Sequence, residues 1–141
     1  MKKKIIIFFY SVIALIFAWS IKIRNDISNI HLPKSRFSFP FLNNDCSFVI
    51  KTADLLVKTG TGNSGRKCFF RSYIIASILQ RFGIDVDINV GLSTLPADKK
   101  IHGHCWVSIQ DKVFSESDKL PKLYPYKLYS TPSKVTYWYG I

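Results

Sequence analysis

Apolar side chains recur at helical spacing in two stretches near the middle of the chain. From Asp45 to Lys58, one face carries Val49, Ala53 and Leu56. From Cys68 to Phe82, the residues that share a face lie four and three positions apart: Cys68, Ser72, Ile75, Leu79 and Phe82. This period predicts an α-helix in each stretch, and Gly83 suits the left-handed position that follows a helix end.

Two further stretches alternate between apolar and polar residues, as strands with one buried face do. The first runs from Ile84 to Leu92 and the second from His102 to Gln110. Asp111-Lys112 is expected to turn the chain back into a paired strand, Val113 to Ser115. The elements predict an α+β fold, with the helix that begins at Cys68 packed on an antiparallel sheet. The apolar positions of the second strand are expected to face its core: Cys105, Val107 and Ile109.

The N-terminus carries a longer apolar run. Lys2, Lys3 and Lys4 precede an uncharged stretch from Ile5 to Ile21, which as a helix would span roughly 25 Å. We expect a hydrophobic helix that attaches the protein to a membrane through residues 5–21. A signal peptide and a helix packed on the domain are the alternatives. The predicted organisation is a hydrophobic helix at 1–24, a linker at 25–44 and one domain at 45–141.

Beyond Ser117 the pattern weakens. Prolines predict a lack of regular structure there: Pro121, Pro125 and Pro132.

Net charge and cysteine content indicate which cellular compartment and which classes of partner to expect. Twenty Lys and Arg against nine Asp and Glu give a net charge of +11, without a recognisable nucleic-acid-binding module. We therefore expect no nucleic-acid partner. The odd number of cysteines, at positions 46, 68 and 105, favours a reducing compartment over a disulfide framework. The glycine-rich loop at 59–65 lacks the Lys-Ser/Thr ending of a phosphate-binding loop.

Cys68 is the candidate nucleophile. At a helix start, unpaired backbone N–H groups and the positive end of the helix dipole stabilise a thiolate. Arg66, Lys67 and Arg71 add positive charge nearby. The alternative is that Cys68 is a small core residue. His104, on the second strand, is the candidate base, because a thiol enzyme needs an imidazole to take the thiol proton and return it to the leaving amine.

A zinc site is the competing interpretation of the same residues. His102, His104 and Cys105 are close in sequence, with Cys68 as a fourth ligand. On a strand, however, Cys105 points away from both histidines, and the spacing matches no zinc motif. We therefore predict no metal.

Residues 66 to 117 resemble the lasso peptide biosynthesis B2 family, which are transglutaminase-like cysteine proteases related to the microcin J25 processing protein. Four segments carry the resemblance: Cys68-Phe69-Phe70-Arg71-Ser72, Leu79-Gln80-Arg81-Phe82-Gly83-Ile84, Ile88-Asn89-Val90-Gly91-Leu92 and His104-Cys105-Trp106-Val107. It implies a papain-like or transglutaminase-like core and a catalytic triad. Cys68 would be the nucleophile and His104 the general base and acid.

The third triad member is less well matched. The family has an Asp twelve residues after the histidine, where this chain has Glu116, and Asp118 and Asp111 are the alternatives. The chain also has Cys105 in place of the family's Ala and Ser108 in place of its acidic residue. We assign Trp106, beside these residues, to substrate binding.

The resemblance implies that the protein removes the leader peptide from a lasso peptide precursor without a cofactor. Its expected partners are the precursor, a separate winged-helix protein that recognises the leader, and an ATP-dependent cyclase. The cyclase implies a catalytic domain in the cytoplasm, whereas a true span after a cytoplasmic N-terminus would place Cys68 outside. A thiol acyltransferase and an inactive membrane-anchored scaffold are the alternative functions.

Overall fold

Three helices precede a four-stranded antiparallel sheet in the computed structural model, which describes residues 2–24, 30, 32, 37, 40–62, 67–94, 101–114 and 124–130. The helices are α1 (Lys2–Arg24), α2 (Asn43–Gly60) and α3 (Lys67–Arg81). The strands are β1 (Asp87–Thr94), β2 (Ile101–Ile109), β3 (Lys112–Val113) and β4 (Tyr124–Ser130), in the spatial order β3-β2-β1-β4. The predicted α+β arrangement is therefore present in the described part of the chain.

The central helix α3 is buried on almost every side, from Phe69 to Gln80 with Arg71 as the exception. One side packs on β1 and β2, and other sides pack on α1 and α2. The helix ends at Arg81, and Gly83, two residues later, has a φ of 77°. There the N–H groups of Gly83 and Ile84 donate to the carbonyls of Gln80 and Leu79, at 2.9 and 3.1 Å. This is a Schellman ending, and it confirms the predicted role of the glycine.

The N-terminal helix packs on the domain through one face. Its buried positions follow helical spacing: Ile7, Ser11, Ala14, Leu15 and Ala18. Trp19 lies against Phe70, with ring centroids 5.3 Å apart, and the Arg81 guanidinium lies 4.0 Å from the Tyr10 ring centroid. Because late α1 meets early α3 and early α1 meets late α3, the two helices run antiparallel. By length and composition, α1 is also apolar enough to cross a membrane.

The hairpin between β2 and β3 differs by one residue from the prediction. Gln110 and Asp111 both have positive φ, 50° and 62°, and Ile109 pairs with Lys112. The turn is therefore Gln110-Asp111 rather than Asp111-Lys112, because a two-residue turn with left-handed backbone at both positions matches the twist of the paired strands. The return strand accordingly begins at Lys112 rather than Val113 and is described as Lys112–Val113, and Ser115 lies outside the described residues.

The strand β4 was not predicted. It pairs with β1 at the edge of the sheet, and Pro125 lies opposite Gly91. An edge strand tolerates proline because a missing N–H on its outer side breaks no ladder hydrogen bond. The expectation that prolines exclude regular structure beyond Ser117 was therefore wrong for residues 124–130. Pro121 and Pro132 lie outside the described residues.

Candidate active site

Cys68 is the second residue of α3 and is half-buried against the core. Arg66 lies outside the described residues. Lys67 is exposed beside the thiol-bearing residue. The Nε atom of Arg71 donates to Asp54 on α2 at 2.5 Å. Arg71 therefore ties α2 to the first turns of α3.

Ser72 joins α3 to the strand that carries His104. Its hydroxyl donates to the Cys105 carbonyl at 3.0 Å, inside the protein. The Phe114 N–H donates to the Val107 carbonyl on the β3 side of β2. Alternate carbonyls of a strand point the same way, so the Cys105 carbonyl lies on that edge too. Ser72 thus adds a side-chain hydrogen bond from α3 to the backbone of β2.

This hydrogen bond fixes the relation between the elements that carry Cys68 and His104. Cys68 and Ser72 are four residues apart and share a helix face. Cys105 directly follows His104. The first turns of α3 are therefore held beside the part of β2 that contains His104. A reactive pair of the Cys68 thiol and the His104 imidazole stays a prediction.

His104 lies on the face of β2 opposite to Cys105 and Val107. The imidazole is half-exposed and stacks with Trp106, with ring centroids 6.3 Å apart and ring planes 18° apart. Gly91 of β1 lies directly opposite His104, so no side chain from that position crowds the imidazole. Trp106 is only 7% exposed. Its stacking positions the ring of His104, and its contact with a substrate stays a prediction.

Farther along β2 from His104, a buried side-chain amide on β1 bonds to a side chain of β2. Asn89 Nδ2 donates to the Ser108 hydroxyl at 2.9 Å, and both residues are buried. Ser108 thus helps to join β2 to β1. Alternation along β1 predicted Asn89 to be the solvent-facing residue of a half-buried strand. The partner on β2 is what allows an amide to be buried there.

The other two cysteines occupy different surroundings. Cys105 is 4% exposed and faces the core with Val107, as predicted. Burial raises the pKa of the Cys46 thiol on α2, which keeps it protonated. None of the three forms a disulfide. Cys68 is therefore the cysteine whose surroundings fit a nucleophile.

Two of the three acidic residues predicted as candidates for a third catalytic residue, Glu116 and Asp118, lie outside the described residues. Asp111 is placed, in the turn that ends β2. His104 is separated from the end of that strand by five residues, about 16 Å of extended chain. Asp111 is therefore too far from the imidazole to hold it. No cluster of three metal-binding side chains occurs within the described residues, which do not include the His102 side chain.

A cavity of about 290 Å³ between α1 and α3 is separate from this site. Its lining includes Tyr10, Phe17, Tyr73, Ser77 and Arg81, and it contains neither Cys68 nor His104.

A sequence model of the transglutaminase-like superfamily matches residues 45–126, which is more than half of the chain. The chain belongs to the transglutaminase-like superfamily. The match covers α2, α3 and the strands up to Tyr126, and it includes Cys68, His104 and Glu116. This superfamily includes cysteine peptidases and acyltransferases. No curated protein and no solved structure matches the chain.

Sequence reasoning missed two residues of this site. Ser72 was identified only as a member of a helix face, and its spacing of four from Cys68 was the available signal. Gly91 was read only as part of a strand. Its importance depends on the register that pairs it with His104, and alternation does not reveal register.

Proposed function

We propose that this transglutaminase-like protein is a cysteine peptidase that removes the leader from a lasso peptide precursor. The observation that carries the proposal is the hydrogen bond from Ser72 to Cys105. It holds a helix-start cysteine beside the strand that bears His104, within a superfamily whose members include cysteine peptidases. The choice of a lasso precursor is supported by the four sequence segments that resemble the B2 family.

The chemistry has two steps. His104 accepts the Cys68 thiol proton, and the sulfur attacks the scissile carbonyl. Backbone N–H groups at the start of α3 stabilise the oxyanion, and the proton passes from His104 to the leaving amine. The leader then remains on Cys68 as a thioester. A water molecule, deprotonated by His104, hydrolyses that thioester and restores the thiol. Protons balance, and neither step needs a cofactor.

Glu116 is the proposed third member, which orients the imidazole of His104. Because β3 runs antiparallel to β2, the chain at Phe114 is heading back toward the His104 end of β2. That direction supports an acidic residue shortly after Phe114 and disfavours Asp111 in the turn.

The proposed partners follow from the same resemblance. A separate winged-helix protein would present the leader, and an ATP-dependent cyclase would close the freed amine onto an acidic side chain. The apolar surface of α1 supports a membrane-associated protein, and coupling to the cyclase favours a catalytic domain on the cytoplasmic side.

Acyl transfer is the second candidate, because the superfamily includes acyltransferases as well as peptidases. The first step would be identical. An amine instead of water would then attack the thioester, and the product would contain a new amide bond.

The test is cleavage of a precursor by the full-length protein, with a leader-binding partner supplied and with intact peptide mass as the readout. Cys68→Ala removes the proposed nucleophile, and Cys46→Ala is the matched control on the neighbouring helix. We expect loss of the leader with wild type and Cys46→Ala and none with Cys68→Ala. A thiol-dependent new amide would reassign the protein to acyl transfer. Cleavage that survives Cys68→Ala, or no reaction with the correct precursor, would reject the peptidase proposal, and the second outcome would favour an inactive scaffold.

A further inference from the structure

The outer face of α1 is apolar and exposed over most of the helix. Ile5, Phe9 and Ile16 share that face, four and seven residues apart, and are 60%, 60% and 63% exposed. Phe8 and Phe17, at its two borders, are 44% and 59% exposed. The opposite face, which includes Ile7, Ser11 and Ala18, is fully buried in the domain. Among the described residues, these side chains of the outer face therefore keep most of their surface exposed. Contiguous exposed apolar patches mark interaction surfaces.

The charge around this face favours an anionic lipid surface as its occupant. The helix contains no acidic residue, and Lys2 and Lys4 are exposed at its N-terminal end. Lys22 and Arg24 belong to its last turn. Basic residues that flank a lipid-facing helix face gain energy from the negative potential of anionic headgroups. The net charge of +11 on the whole protein acts in the same direction.

Contacts along the inner face argue against a helix that crosses the bilayer. Lys3 Nζ lies 2.5 Å from the Asp45 carboxylate at the start of α2 and also donates to the Pro40 carbonyl. At the other end Trp19 packs on Phe70. A crossing helix would have to give up these contacts, or take α2 with it into lipid. The exposed side of α2 carries charged residues that prevent this: Lys51, Asp54 and Lys58.

We infer that α1 lies flat on an anionic membrane, with its outer face in the lipid interface and the rest of the domain on the aqueous side. This inference rests on the proposed membrane location and is independent of the proposed chemistry. It removes the conflict over topology, because a helix that does not cross leaves Cys68 on the same side as the N-terminus.

The orientation also places the candidate site near the lipid. Packed helix axes lie about 8–10 Å apart, so α3 would run along the membrane one helix layer above α1. Cys68 lies at the end of α3 where Phe70 contacts Trp19, so it would meet substrates at the membrane surface.

Vesicle flotation tests the lipid contact. Full-length wild type is expected to float with vesicles of phosphatidylcholine mixed with phosphatidylglycerol, and less with phosphatidylcholine alone. Ile5→Glu/Ile16→Glu should weaken binding at least about tenfold, because two large apolar side chains lose their lipid burial. The charge-matched control is Leu42→Glu/Leu55→Glu. Leu42 directly precedes α2 and Leu55 lies within it, and they are 59% and 53% exposed. This control should bind vesicles as wild type does. Circular dichroism verifies that both variants fold.

A zero-length crosslink tests whether α1 stays on the domain. Carbodiimide should join Lys3 to Asp45 in vesicle-bound protein as efficiently as in solution, with Lys3→Arg as the uncrosslinked control. Loss of the crosslink on binding would show that α1 leaves the domain to insert, which overturns the flat orientation. Equal flotation of the two double variants would overturn the lipid contact. A third result would also overturn the lipid contact. In that case wild type would form a stable dimer, Ile5→Glu/Ile16→Glu would dissociate the dimer, and the variant would still bind vesicles as well as wild type does. Failure of leader cleavage with these results intact would reject only the proposed chemistry.

Discussion

At the scale of single residues, one hydroxyl does most to define the candidate site. Ser72 donates to the Cys105 carbonyl of β2 and by doing so holds the Cys68 helix beside the His104 strand. Loss of a buried hydrogen bond lowers the stability of a fold. The position of the proposed nucleophile therefore depends on a residue that has no proposed part in the reaction.

The chain offers a matched pair for testing this role. Ser72→Ala should lower the free energy of unfolding by about 0.5–1.5 kcal/mol, because the buried hydrogen bond from Ser72 to the Cys105 carbonyl is lost. Ser77→Ala is the control on the same helix. Within the described part of the chain the buried Ser77 hydroxyl has no hydrogen-bond partner, so its loss should be neutral or stabilising. Urea unfolding measures both. Equal losses in the two variants would contradict the role given to Ser72.

Asp45 gives the fold a defined response to acid. Burial acts to raise the pKa of this carboxyl, but the hydrogen bonds from Lys3 and from the Leu42 N–H, with the charges of Lys3 and Lys4, outweigh it and lower the pKa. A lowered folded-state pKa stabilises the fold above the unfolded value of 3.8, and that stability is lost as the pH falls through the folded value.

We therefore expect the stability difference between wild type and Asp45→Asn to be larger at about pH 6 than at about pH 3. Urea unfolding at the two pH values measures it. The same comparison in a Lys3→Gln background isolates the ion pair, and there the pH dependence should shrink. A difference that is constant with pH would show that Lys3 does not stabilise the Asp45 carboxylate.

At the scale of elements, the sequence predicts a helix or strand best where the spacing of apolar residues depends on that element alone. The helical period of α3 placed its start and end within one residue, and alternation oriented Cys105 and Val107 toward the core. Predicted β1 started three residues early, since the Schellman ending at Gly83 and Ile84 occupies part of the alternating run. The edge strand β4 was missed because tolerance of Pro125 depends on the sheet edge it occupies, which is a tertiary property.

The N-terminal helix shows the limit of composition as a guide. Residues 5–21 are apolar on all sides, so sequence alone could not separate a lipid face from a domain face. The distinction arises from packing against α2 and α3. Gly60 illustrates how close this packing is, since a Cβ atom there would lie 2.8 Å from Leu15 Cδ2.

Two neighbouring isoleucines test whether α1 is part of the folded domain. Ile7 is fully buried and Ile5 is 60% exposed. Ile7→Ala should cost about 2–5 kcal/mol of unfolding free energy through lost burial and a cavity. Ile5→Ala should change it by no more than about 0.5 kcal/mol. Thermal and urea unfolding in the absence of lipid measure both. If Ile7→Ala were as mild as Ile5→Ala, α1 would not be packed on the domain in solution.

At the scale of the whole molecule, the sheet, α3 and the outer helices form successive layers. His104 belongs to the sheet layer and Cys68 to the middle layer, and Ser72 joins the two. The outer layer presents α1 and its apolar face. Cys68 and His104 could be proposed as candidates from the sequence, because the order and spacing of motifs along the chain can be read without a structure. Their support by Ser72, Gly91 and Trp106 could not, since it arises from register and helix placement.

The central claim is that Cys68 and His104 act as a pair, and cysteine-resolved alkylation tests it most directly. Iodoacetamide is added at neutral pH, and the labelling rate of each cysteine is followed by peptide mass in wild type and in His104→Ala. We expect Cys68 to react at least about tenfold faster than Cys46 and to lose that advantage in His104→Ala, because an imidazole that accepts the thiol proton raises the share of reactive thiolate. Equal rates at Cys68 and Cys46, or a fast Cys68 that His104→Ala leaves unchanged, would contradict the account.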